Sequence, residues 1–165
     1  MSRPTPTPPG PGQESAWDYP RPPLVEPSPR EVVVEWAGRV IAATRSAVRV
    51  CETSHPPAWA IPPDAVDMSI VHPASGTSLC EWKGVARYWD LAVGDLHQPR
   101  AGWSYPDPTP GYEPIAGHLF FYAGLVDRCT VDGEVVTPQP GSFYGGWITG
   151  DVVGPFKGQP GSAWW

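Results

Sequence analysis

Cys80-Glu81-Trp82-Lys83-Gly84-Val85-Ala86-Arg87-Tyr88-Trp89 is the stretch on which the reading of this chain turns. One cysteine, one lysine and three large aromatics are packed into ten residues. Lys83 and Gly84 read as a bend, because glycine relieves the backbone there. Beyond the bend, Val85, Arg87, Trp89 and Leu91 alternate with Ala86, Tyr88, Asp90 and Ala92. That period of two is a strand, with Tyr88 on one face and Trp89 on the other. The stretch therefore reads as a turn feeding a central β-strand that forms one wall of a pocket.

Outward from this strand the same signals repeat. Glu31 to Trp36 is β-branched and ends at Ala37-Gly38, and Arg39 to Ala43 reads as its hairpin partner. Ser46 to Cys51 alternates as a third strand, and Ala58 to Ile61 is a short one cut off by Pro62-Pro63. Asp64 to Asp67 reads as a single turn. Met68 to His72 reads as a strand ended by Pro73, with Ser75-Gly76-Thr77 as a hairpin loop. Arg100 to Tyr105 forms a strand, Tyr112 to Ala116 one helical turn, and His118 to Tyr122 a strand. Leu125 to Cys129 is expected as the hairpin partner of His118 to Tyr122. Trp147 to Val153 is expected to hold a helical turn.

The 24 prolines and 18 glycines work against long helices, because proline removes a helical donor and glycine costs backbone entropy. The nine tryptophans supply the core filler of a mostly β fold. At 165 residues the chain suits one domain. Its expected core region runs from 30 to 129. Residues 1–29 hold ten of the prolines, which predicts a disordered Pro-rich arm in which Trp17 and Tyr19 are candidate clips. Residues 130–165 read as a loop-rich extension packing back on the domain, since Trp164 and Trp165 favour burial. The triplet Phe156-Lys157-Gly158 in that extension repeats Trp82-Lys83-Gly84.

A net charge of −6 without a basic stripe argues against a nucleic-acid partner. No apolar run approaches the roughly 20 residues of a membrane helix. Three widely spaced cysteines and no secretory leader predict reduced thiols and a cytoplasmic setting.

Several segments then fall into a recognisable order: Cys80-Glu81-Trp82-Lys83-Gly84, Tyr88-Trp89, Trp103-Ser104-Tyr105-Pro106-Asp107-Pro108, Ile115-Ala116-Gly117 and Phe121-Tyr122. With His55-Pro56-Pro57 and Asp64 to Asp67 upstream, this series resembles the DUF427 family over roughly residues 30–129. The closing Pro155-Phe156-Lys157-Gly158 resembles actinobacterial members. The resemblance implies a β-tent-like antiparallel domain, similar in fold to methionine sulfoxide reductase B and its zinc-binding relatives. Paired Cys-x-x-Cys knuckles of those relatives are absent from this chain, so no metal or cofactor is expected. The family also carries a nucleotidyltransferase label. That chemistry needs metal-binding carboxylates and a phosphate-cradling loop, and neither Asp-x-Asp nor Gly-x-x-x-x-Gly-Lys-Ser/Thr occurs here.

The candidate catalytic groups are Lys83, Tyr88 and Tyr105, with Trp82, Trp89, Trp103, Asp107 and Cys80 as ligand contacts. Each has a plain structural reading beside the functional one. Lys83 is a base, nucleophile or anion anchor, or a lysine whose stem packs on tryptophan. Cys80 is an activated thiol or a small buried hydrophobe. Tyr88 and Tyr105 offer hydroxyls to a ligand or sit in the core; Trp89 and Trp103 are platforms or core rings. Asp107 orients a ligand or caps a turn. The leading expectation is a domain binding an anionic or aromatic small molecule, with catalysis left open. The alternatives are a non-catalytic interaction module using the Pro-rich arm for a protein partner, and the metal-dependent nucleotidyl transfer of the family label.

Overall fold

The structure is a computed structural model that describes residues 3–165; the first two residues of the expected arm lie outside it. Fifteen short strands follow in order, and no α-helix occurs among the described residues. They are β1 (Glu14–Ser15), β2 (Leu24–Ser28), β3 (Val32–Trp36), β4 (Arg39–Thr44) and β5 (Ala47–Cys51). Next come β6 (Ala58–Ala60), β7 (Val71–Cys80), β8 (Gly84–Val93), β9 (Leu96–Ser104) and β10 (Phe120–Phe121). The last are β11 (Arg128–Val131), β12 (Glu134–Val135), β13 (Thr137–Pro138), β14 (Trp147–Ile148) and β15 (Val152–Val153).

The fold is mostly β, as composition and patterning predict. One four-stranded sheet runs β10-β9-β8-β7, a second runs β12-β11-β3-β4, and a three-stranded sheet runs β2-β5-β6. All pairings in these sheets are antiparallel. The β3–β4 hairpin forms because Ala37 and Gly38 both take positive φ, the geometry a two-residue turn needs. Val32, Val34 and Trp36 alternate inward from β3, matching the period of two.

β8 lies inside its sheet and is covered on both sides, which explains its central place. Trp89 and Leu91 face the larger core, with Val32, Val34, Trp59 and Ile61. Ala86 and Tyr88 face a smaller core with Val48, Val50, Trp103 and Phe120. A bulge between Trp89 and Leu91 keeps the long strand coiled. Cys129 lies in the larger core, and burial pushes its thiol up to about 12.

Several expectations are corrected. β7 runs through Ser75–Thr77, with a register shift between Pro73 and Thr77, and the hairpin turn falls at Glu81–Lys83 instead. β11 does not return along β10. β10 pairs with β9, and β11 crosses to pair with β3, because a 3-10 turn at Ala123–Leu125 carries the chain between sheets. Trp147 to Val153 forms β14, a turn and β15 rather than a helical turn. The expected boundary after residue 129 falls inside β11, whose Val131 pairs with Val32.

The arm is also not a disordered segment over its described length. β2 pairs along all five residues with β5. Trp17 is buried and its indole N–H donates to Pro155 O at 2.9 Å. Thr7 N–H donates to Gly154 O at 2.8 Å. A proline-rich chain is already extended and loses little entropy on docking, so a few anchors hold it.

One anchor is charged. Glu14 accepts from the Tyr19 hydroxyl at 2.7 Å and from Arg49, which also donates to Glu26 at 2.7 Å. Burial works to raise the Glu14 pKa, but the bonds from Arg49 and Tyr19 outweigh it and hold the carboxyl below its usual range. A depressed carboxyl contributes stability above its unfolded pKa and loses it as pH falls through the folded one. Glu14→Gln should therefore speed hydrogen exchange at Trp17 and Tyr19 at pH 7. The difference from wild type should shrink on acidification; equal exchange at pH 7 would deny the carboxylate a part in docking.

Candidate functional site

The smaller core opens into a cleft of about 280 Å³. Its floor is built by register. Tyr88 on β8 pairs with Trp103 on β9, which pairs with Phe120 on β10. Trp103 stacks on Phe120 with centroids 5.0 Å apart, and Tyr105 meets the Phe120 edge at 5.8 Å. One wall is the β7–β8 turn with Cys80, Trp82 and Lys83; the facing wall carries Glu52, His55 and Pro56. Gln139, Phe143 to Gly146 and Lys157 form the roof, where Gly145 lies against Trp103.

Six of the eight expected residues line this one cleft: Lys83, Tyr88, Tyr105, Trp82, Trp103 and Cys80. Lys83 Nζ lies 5.5 Å from the Tyr105 ring centroid. It enters no ion pair among the described residues. Burial pushes the Tyr105 hydroxyl pKa well up, against a bond from Trp103, so it is a donor at neutral pH. The Tyr88 hydroxyl is shared with Ser78 Oγ at 2.9 Å, and Arg100 covers the ring at 3.9 Å. Cys80 Sγ accepts the Lys83 backbone N–H at 3.4 Å, so the thiol sulfur shapes the turn that presents the lysine.

Two expected residues lie elsewhere. Trp89 follows Tyr88 directly and so points to the opposite face, where its indole N–H donates to Ser104 Oγ at 2.8 Å. Asp107 is exposed on a loop outside the cleft. That loop braces the turn through its backbone, as Thr109 N–H donates to Lys83 O at 3.1 Å.

Sequence reasoning missed a buried polar network. Gln139 Nε2 donates to Lys157 O at 2.9 Å and to His55 Nδ1 at 2.9 Å, while its Oε1 accepts Gly146 N–H at 3.0 Å. Those backbone partners fix the amide, so His55 Nδ1 is the acceptor and Nε2 carries the hydrogen, 3.5 Å from Glu52 Oε2. Burial pushes the His55 pKa down to about 3, helped by the nearby Lys157, Lys83 and Arg21 charges. The imidazole is neutral at physiological pH and acts as a brace. Gly145 lets the roof lie on the floor, because a Cβ there would stand 2.2 Å from Trp103 Cη2. For Lys157 a signal existed in the repeated aromatic-Lys-Gly triplet: the two lysines of those triplets line the same cleft. Gln139 had none, lying in a loop between prolines.

Among the described residues no group of three or more His, Cys, Asp or Glu is arranged to hold a metal. His97 bonds Asp90, and His118 bonds Ala116 O. No described helix is long and apolar enough to cross a membrane.

A family model for a domain of unknown function, DUF427, matches residues 24–132. The chain belongs to the DUF427 family. No curated protein matches it. The DUF427 region begins at β2, inside the expected arm, and supplies the floor and both walls of the cleft. Gln139, Phe143, Tyr144, Gly145, Gly146 and Lys157 lie beyond it, so the top of the cleft comes from outside the DUF427 match.

Proposed function

We propose that this DUF427 domain binds a small anionic aromatic molecule in the cleft between the β7–β8 turn and the roof segment. The observation that carries the reading is Lys83, an ammonium above the Tyr105 ring with no ion-pair partner among the described residues. An ammonium held in a ring-lined site attracts a negative charge, while Trp82 and Trp103 offer flat apolar surface to a ring. Tyr105 adds a protonated hydroxyl, and the neutral, braced His55 keeps the far wall rigid. A volume of about 280 Å³ is at the lower edge for small-molecule sites and suits one or two rings with their substituents. A nucleoside triphosphate exceeds it, so the nucleotidyltransferase label draws no support from the cleft. In any reaction, Lys83 is the group to hold or move a proton at the ligand.

The test is thermal unfolding of wild type and Lys83→Met against aromatic carboxylates, aryl phosphates and nucleotides with and without Mg²⁺. A ligand at 100 times its Kd adds about 2.7 kcal/mol, a rise of about 5–10 °C in a domain this size. Wild type should show that rise with a single-ring or double-ring anion. Lys83→Met should lose it while unfolding within about 2 °C of wild type without ligand, since exposed or half-exposed charges contribute little to stability. No shift with any compound, together with a much less stable Lys83→Met, would make the lysine architectural and favour a protein-interaction module.

A further inference from the structure

β7 is the outer strand of its sheet, and β8 is the one strand that pairs with it among the described residues. No loop bonds the backbone of Thr77–Cys80 among those residues either. A free edge of this kind is a template for another strand unless charge, proline or a bulge blocks it. The ten residues of β7 include no Asp, Glu, Lys or Arg. Pro73 and the register shift between Pro73 and Thr77 interrupt its first half. From Thr77 to Cys80 the ladder with β8 is unbroken, so the open edge lies there.

The face beside that edge is also uncovered. Ser78 and Cys80 belong to the cleft side, where Ser78 Oγ meets the Tyr88 hydroxyl. Leu79 and its ladder partner Val85 therefore share the opposite side. The larger core covers Trp89 and Leu91 on that side but stops short of this pair. Leu79 is 77% exposed and Val85 49%. Two charges flank them: Glu81 follows in the turn, and Arg87 is the ladder partner of Thr77. Both are exposed, and neither enters an ion pair among the described residues.

We propose that this edge joins two copies of the chain into a weak symmetric dimer, with Leu79 on the two-fold axis. An edge strand on such an axis pairs with itself antiparallel, so the patch must be its own complement. This one is. Leu79 and Val85 of both copies form one apolar row across the seam. Glu81 of each copy falls opposite Thr77 of the other, with Arg87 on the next strand, so opposite charges face each other twice. The joined sheet has eight strands, four from each copy, and both clefts open on its same face. The inference is independent of what the cleft binds.

Sedimentation velocity of the full chain from about 5 µM to about 1 mM, at pH 7.5 and low salt, tests it. Wild type should dimerise with a Kd of about 10–100 µM, since a short ladder and two apolar pairs fall below a standard interface. Leu79→Lys should weaken the dimer at least about tenfold. It should leave the melting temperature of the monomer within about 2 °C, because the side chain it replaces is exposed. Glu81→Lys and Arg87→Glu should each weaken it about tenfold, by setting like charges across the seam twice. The double variant Glu81→Lys/Arg87→Glu should return to within about threefold of wild type, which a merely damaged fold would not do. A wild type that stays monomeric at 1 mM overturns the proposal. So does an association that Leu79→Lys leaves unchanged, or a double variant no better than either single one.

Discussion

Trp147→Ala should destabilise the protein by about 3–5 kcal/mol, the usual cost of emptying a large aromatic site in a core. Trp147 is among the largest fully buried side chains, and it packs in the larger core beside residues from the sheets. Its indole N–H donates to Phe121 O at 2.9 Å, and its backbone N–H donates to Pro57 O at 2.8 Å. The substitution would remove the ring, leave the Phe121 carbonyl short of a buried partner, and loosen the roof segment joined to it at Gly146. Domains of this kind are stable by only about 5–15 kcal/mol, so a loss of that size is a large share of the total. Urea unfolding at pH 7.5 reads it directly. Trp147→Phe, which keeps most of the ring area and gives up the N–H, should cost less than half as much. A loss below about 1 kcal/mol for Trp147→Ala would mean that residues beyond 132 are an appendage, against the packing.

The second large effect is with pH. His55 has a folded pKa of about 3 against an ordinary value of 6.5. Below pH 6.5 the unfolded chain takes up a proton at this position that the folded protein refuses. Stability should therefore fall as pH drops from 6.5 toward 3, and rise with pH across the same window. By pH 5 the loss should be about 2 kcal/mol, before the depressed carboxyls of Glu14, Asp67, Asp90 and Asp132 begin to contribute their own losses. His55→Gln removes the titration, so its stability should be nearly flat between pH 5 and 7 whatever its starting value. Urea midpoints at pH 5, 6, 7 and 8 test this. A wild-type curve that is flat from 7 to 5, or a variant curve with the same slope, would contradict a buried neutral imidazole.

Much of the site was legible because it lies within one local pattern. The turn at Lys83 and the alternation through Ala86 and Tyr88 place the lysine and the tyrosine on the cleft side of a central strand. The same alternation already placed Trp89 on the opposite face, so its inclusion with Tyr88 went against the period of the strand. The prolines on either side of Asp107 stiffen its loop, but stiffness says nothing about direction, and the loop supports the turn from outside. Proline-rich composition misled for residues 3–29. Composition reports how little a segment can bury alone, and this one packs on a neighbour's edge, with β2 against β5.

By itself the sequence determined the strand-rich class, the Ala37-Gly38 hairpin turn, the central place of β8 and the DUF427 membership. These depend on residue types and spacings within a few positions, where sterics and period act directly. The tertiary structure alone decided that β11 crosses to β3, that Trp147 fills the larger core, and that Gln139 fixes the His55 tautomer. It also decided that Lys83 and Lys157 meet at one cleft. Those outcomes join residues tens of positions apart, and such contacts are set by which apolar faces must cover one another. No local period records that choice.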